Sequence, residues 1–431
     1  MKSFSDIDLF LTTPTAARLY REHVAALPII DVHSNLDVTA IAENRAITNL
    51  TELWLYGDRD KAELMRVCGV DEHFITGNAS DYEKFRELCR IMPMLIGNKQ
   101  YAACHTELCR YFKCELTINS DNCETIWRET SQRLANNRIG AYDYLKMSGA
   151  KVIFVTSSPI DDLKTFDTVR SRGEILIAPI FCPDRCFDID KKGIRDYFAE
   201  IGKLTSVDIC DYKSFCQAYT VLMDRFGAVG CKVAYHRIDT GYSFVKPDLH
   251  HADLILKKAL SGKGTEITGE ELSLWQTQLL RFFGIEYAKR GWIMELEYRS
   301  YSHTEISASL TYLSSQNALP TVIIYSDDTR ASEMCRKLCH TEHNISTKVL
   351  QGIGFTDNLE DIAAKTAIGS VLGFRSEAYG YNIGIMHELW RKEVCNLLGG
   401  WVDKGICFED AAVEAIRAIC YQNAATYLEI N

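Results

Sequence analysis

Short runs of aliphatic and β-branched residues recur along the chain, each bounded by glycine, proline or polar residues. They cover LPIIDVHS (27–34), AKVIFVTSS (150–158), ILIAPIFCP (175–183), GCKVAYHRI (230–238), GWIMELEYRS (291–300), TVIIYSDD (321–328), TKVLQGIGF (347–355) and AIGSVLGFR (367–375). Near-continuous apolar runs of this length predict strands buried on both faces. Several intervening stretches carry helical spacing, as in Leu274, Leu279, Leu280, Phe282 and Phe283. Eight strands alternating with helices predict an α/β fold, a distorted (β/α)8 TIM barrel.

The spacing of the strands is uneven. Residues 36–148 separate the first two, far more than one crossover helix requires, and their pattern is helical. Ser80 or Asp81 is placed to cap one helix through Phe85, Leu88, Cys89 and Met92, and Ser120 another through Cys123, Ile126 and Trp127. The expected organisation is an N-terminal helix and first strand (1–35), an inserted helical subdomain (36–148), and the remainder of the barrel with closing helices (149–431). A second long connection, 184–229, is also largely helical. No internal repeat or low-complexity segment interrupts this order.

Composition narrows the class. The chain has 431 residues, 47% hydrophobic and 25% charged, with a net charge of −10. No basic stripe is present, which argues against a nucleic-acid partner. No apolar run approaches the roughly 20 residues that span a bilayer, which argues against a membrane role. The start, MKSFSDIDLFLTTPTAARLY, lacks the continuous apolar segment of an export signal. Sixteen cysteines without a CxxC pair then read as reduced thiols, and the expected compartment is the cytoplasm.

In barrels of this type, chemistry sits at the C-terminal ends of the strands. Those ends carry His33 and Asn35; Ser157 and Ser158; Cys182; Tyr235 and His236; Glu297 and Arg299; Ser326, Asp327 and Asp328; Gly354; Gly373 and Arg375. The ring is polar and mixed in charge. It suits a small polar ligand better than a metal, because its two histidines lie on the first and fourth strands.

Collinear motifs carry a resemblance across nearly the whole chain. They are TAARLYREHVAALPIIDVH (15–33), IAENRAITNLTELWLYGD (41–58), GVDEHFITGNASDYEKF (69–85), IGNKQY (96–101), SSPIDDL (157–163), GCKVAYH (230–236), EYAKRGW (286–292), CNLLGGWVDKG (395–405) and ICYQNAATYL (419–428). In these the chain resembles the uronate isomerases (glucuronate isomerases) of the amidohydrolase superfamily. The resemblance implies aldose–ketose isomerisation: D-glucuronate to D-fructuronate, and D-galacturonate to D-tagaturonate. Such chemistry needs a base for the C2 proton, groups that hold two oxygens, and a cation for the carboxylate.

The strand ends depart from the family. Where its first strand ends His-x-His, this chain has His33, Ser34, Asn35; where its last carries Asp-Ser-Arg, this chain has Gly373, Phe374, Arg375. After Gly-Asp, His-Tyr-Lys-Trp becomes Arg59, Asp60, Lys61, Ala62. The third-strand Arg falls on Cys182, the fifth-strand His on Glu297, an Arg beyond it on Ser302, and a Trp pair on Ile353 and Gly354. His33, Arg375 and His236 keep their identity.

The resemblance therefore implies His33, Glu297 and Arg375 as catalytic candidates and Asn35, Arg59, His236 and Asp327 as substrate-binding candidates. His33 is the one surviving family metal ligand. An amide and a missing side chain replace the others, so no cofactor is expected, with a divalent metal as the lesser alternative. Cys182 reads as a buried thiol. His387 and Arg391, four apart on a helix, read as surface or closing-helix residues. The expected partner is a small-molecule sugar acid, with homo-oligomerisation open. Three readings of activity stand: a uronate isomerase with an altered site, an enzyme for another sugar acid, and a non-catalytic binding or oligomer partner.

Overall fold

The computed structural model describes residues 3–238, 241–326, 330–339, 349–354, 358–365 and 367–430. Seven strands form one sheet in the order β1-β2-β3-β4-β5-β6-β7. They are β1 Ile29–Ser34, β2 Ala150–Ser157, β3 Leu176–Phe181, β4 Val233–Ile238, β5 Ile293–Tyr298, β6 Thr321–Ser326 and β7 Val349–Gln351. Every pair from β3 to β7 is parallel, and the β4–β5 register runs from Val233 opposite Ile293 to Ile238 opposite Tyr298. Consecutive parallel neighbours joined by helices are the winding of a (β/α) barrel. All six residues of β1 are buried, as a strand covered on both faces requires.

The eighth expected strand, 367–375, does not form. Residues Ile368–Ser370 make a short 3-10 turn instead. The Asn423 side-chain amide donates to the carbonyls of Gly369 and Val371, both at 2.8 Å. These two carbonyls thus take a side-chain partner, and within the run Phe374 forms only a single β-bridge. Gly373 then adopts φ 138°, a conformation that favours glycine over residues with a Cβ.

Between β1 and β2 lie seven α-helices, from Val38–Glu43 to Ala141–Met147, so the helical insertion after the first strand is present. Trp54, Phe85, Leu88, Phe112, Ile126 and Leu134 share its core. Ser80 caps Asp81–Ile91 in a reciprocal box with Glu83, as its sequence position suggested. Ser120 is not the cap of the next helix. That helix starts at Cys123 behind Asn122, because the Asn119 side chain accepts from the Asn122 N–H at 2.9 Å and turns the chain first.

The chain divides into two compact units. One comprises Met1–Ile153, Thr168–Leu176 and Phe374–Gln422; the other comprises Phe154–Asp167, Ile177–Gly373 and Asn423–Asn431. Among the described residues, no helix is long and apolar enough to cross a membrane.

Candidate active site

In the first unit, β1 ends against the segment 376–378. The Glu377 N–H donates to His33 O at 2.9 Å, and the Asn35 N–H donates to Ala378 O at 2.8 Å. The Asn35 side-chain amide donates to Glu377 O at 3.2 Å. The hub beneath these bonds is Asp31, fully buried within β1. Its carboxylate accepts from the Ser376 N–H (3.0 Å) and the Ser376 hydroxyl (2.7 Å), and His387 Nε2 lies 3.2 Å away. Burial pulls the His387 pKa below its usual value, and Asp31 opposes that shift. A carboxylate inside an apolar strand is stable only when its oxygens are satisfied in this way.

His387 and Arg391 are not surface residues. Both are buried in the helix Ile383–Asp403, and Arg391 donates to the carbonyls of Leu27 and Pro28 at 2.9 and 2.7 Å. The two residues tie the closing helix to the start and middle of β1. The four-residue spacing shows only that they share a face. Packing decides that this face points inward.

These bonds place Arg375 beside β1. It is buried, with an exposure of 7%, and pairs with Glu377 at 2.6 Å. His33 is also buried. Asn35 borders a cavity of about 450 Å³, a size suited to a small ligand. Tyr56, Tyr379, Tyr381, Arg45 and Asp37 also line it. Burial, then the Asp37 charge, pushes the Tyr381 hydroxyl up to about 12, so it stays protonated at neutral pH and can donate a hydrogen bond. Arg45 lies 3.4 Å from Asp37 and 3.1 Å from Glu43. Arg59 opens the helix Arg59–Val67, with its guanidinium 5.8 Å from the ring centre of Tyr379. Gly57, at φ 78°, turns the chain so that Asp58 caps that helix.

Asp31 and Tyr56 lie within the collinear motifs without being singled out, and Ser376, Tyr379 and Tyr381 lie outside them, yet each left a trace. An acid inside IIDVHS needs partners, and AYGYN presents two aromatic rings two residues apart.

The second unit holds His236 and Glu297. His236 is fully buried, with Nδ1 3.2 Å from Asp184 Oδ1 and Nε2 3.0 Å from the Tyr287 hydroxyl. Phe187 and Phe283 pack on its ring. This environment fixes the imidazole within the scaffold. Glu297 is half-buried at the end of β5 and accepts from the Tyr235 hydroxyl at 3.1 Å. Cys182 donates weakly to Ile180 O, and burial raises its pKa well above the ordinary thiol value. That is the state of an inert thiol. Ser157 donates to Val155 O, and the Ser158 N–H donates to Asp161, so both serve the turn. Asp327 lies outside the described residues.

A metal held as in the family would need imidazole and carboxylate donors around His33. The Asn35 side chain instead turns its amide N–H groups to Glu377 O, and Gly373 has no donor. Among the described residues no three His, Cys, Asp or Glu side chains converge to hold a metal. The residues present do not fit that metal.

Comparison with known proteins agrees with this architecture. A uronate isomerase of Lachnospira eligens is 29% identical over 467 residues, covering 99% of each chain. The crystal structure of a Thermotoga maritima uronate isomerase superposes with a TM-score of 0.89 at 24% identity, covering 98% of this chain and 99% of that one. A putative metal-dependent hydrolase of Lactobacillus casei shares the fold more loosely, with a TM-score of 0.54, 13% identity and coverage of 95% and 97%. The model of the family described as glucuronate isomerase matches residues 1–305 and 299–428. A match that runs from the N-terminal helix through the inserted helices to the closing ones cannot come from a shared barrel alone, and by it the chain belongs to the glucuronate isomerase family.

Proposed function

We propose that the chain interconverts the aldose and ketose forms of a hexuronate, glucuronate with fructuronate or galacturonate with tagaturonate. The match to the family along its whole length is the observation that carries this reading. Isomerisation takes the proton from C2 and returns one to C1, while the O2 proton is exchanged for one on O1. Arg375 is the group suited to the substrate carboxylate, since a guanidinium grips a carboxylate with two parallel hydrogen bonds. The incoming carboxylate would take the place of Glu377. His33 is the candidate base in the unit that holds Arg375, and Asn35 is assigned to a substrate hydroxyl. His236 is assigned to the scaffold, its ring being held by Asp184 and Tyr287. The described cysteines are free thiols, which supports a reducing compartment such as the cytoplasm.

The test is direct. Purified protein is incubated with each uronate, in chelator and again with added Zn²⁺ or Mn²⁺, and the ketose is followed by NMR. Turnover that persists in chelator is the expected result, because the donor set around His33 is incomplete. Absence of turnover under every condition overturns the proposal. Turnover only with metal overturns the metal-independent part of it.

A further inference from the structure

The inserted helices hold a second cavity, of about 570 Å³. Its apolar side includes Leu55, Met65 and Ile75, and its polar side includes Tyr56, Arg59 and Lys84. Lys84 stands in the first turns of the helix Asp81–Ile91 and is 7% exposed. Among the described residues it forms no ion pair. Its ammonium instead sits 5.7 Å from the ring centre of Tyr56, whose hydroxyl is tied to the Asp81 carboxylate.

Burying an ammonium is costly unless something compensates. A cation–π contact returns only about 0.5–2 kcal/mol. The other charges on the wall are largely spoken for. Asp58 is paired with Lys61 at 2.5 Å, and Arg66 with Glu72 at 2.8 Å. Arg59 makes no ion pair among the described residues, and its guanidinium lies 5.8 Å from the ring centre of Tyr379. Glu63, on the exposed face of its helix, is the remaining acid of the wall. The cavity thus presents the buried Lys84 and the exposed Arg59 against one exposed carboxylate, around an apolar floor.

We propose that this cavity binds a small organic oxyanion, a carboxylate or a phosphate ester, with Lys84 as its anchor and Arg59 at its rim. The oxyanion completes the shell that the ammonium lacks, and the apolar side takes the body of the ligand. The site is separate from the one that binds the isomerised sugar, although Tyr56 and Gly57 border both cavities. It is read out by binding and does not depend on turnover.

Calorimetric titration of the full chain with inorganic phosphate, and separately with acetate, at constant ionic strength tests it. Saturable binding of at least one probe is expected, and whichever binds more tightly identifies the headgroup. Loss of a charge-assisted hydrogen bond should weaken that binding by roughly tenfold or more in Lys84→Met, while Lys84→Arg retains most of it. Acylation of Lys84 in the unmodified chain, followed by peptide mass spectrometry, should slow when the same probe is present. This last measurement needs no variant to fold. Failure of both probes to saturate, unchanged affinity in Lys84→Met, or an unprotected Lys84 each overturns the proposal.

Discussion

At the end of β1, the strand is bonded to residues 376–378 through Asp31, His33 and Asn35, and Asn35 still borders a cavity. At the end of β4, both ring nitrogens of His236 are taken and aromatic rings enclose it. Both ends carry a histidine that the resemblance matched to the family, His33 and His236. Identity at a strand end therefore does not establish a role in chemistry. The neighbours decide whether a side chain serves a ligand or the fold. In β1 the structural work falls to Asp31, one layer below, and Asn35 is left to border the cavity.

The sharpest way to break this contrast is to remove the hub. Asp31→Ala leaves His387 and the Ser376 N–H and hydroxyl without their acceptor, and removing one member of a buried polar pair costs about 3–5 kcal/mol. Urea denaturation should show that loss; a change within error would mean that the β1 end is held by other contacts. Arg375→Met should lower kcat/KM by about 100-fold, the typical effect of removing a single strong charged donor, roughly 3 kcal/mol. If the uronate kinetics stay unchanged, Arg375 is not the carboxylate clamp.

His236→Phe should act on the other side of the comparison. The ring packing is kept and the bonds to Asp184 and Tyr287 are lost, a cost of about 1–3 kcal/mol in stability. KM for the uronate should stay constant; a rise in KM with stability unaltered would move His236 from scaffold to ligand. The smallest effect expected is one of pH. Burial holds the folded-state pKa of His387 below its ordinary 6.5, with Asp31 opposing. Below that value the unfolded chain takes up a proton that the folded chain refuses. The contribution of His387 to stability is therefore full above pH 6.5 and is lost as pH falls through the folded value, at up to about 1.4 kcal/mol per pH unit. His387→Gln should flatten that part of the profile of unfolding free energy against pH.

Much of the fold was legible in the pattern of apolar runs. Seven of eight expected strands form, because a buried parallel strand must be apolar on both faces and little else in a chain of this composition is. The run at 367–375 carried the same signal and failed. Its carbonyls are claimed by Asn423, more than fifty residues away in sequence, and no local pattern reports such a competitor. The Ser80 cap was visible because its box closes within four residues; the cap expected at Ser120 does not form, since a neighbouring Asn119 captures the turn first.

The sequence by itself determined the family and the helical insertion after the first strand, and it pointed to His33 and Arg375 among the strand ends. These are questions of residue identity and order, and motifs spread over the whole chain answer them. Only the tertiary structure decided that Asp31 is the hub of β1, that His387 and Arg391 face inward, that the His236 ring is satisfied within the scaffold, and that Lys84 is buried with no ion pair among the described residues. Each of these depends on which polar atoms meet across long stretches of chain. Hydrogen bonds and ion pairs act over a few ångströms, so their partners become known only once the fold has brought them together.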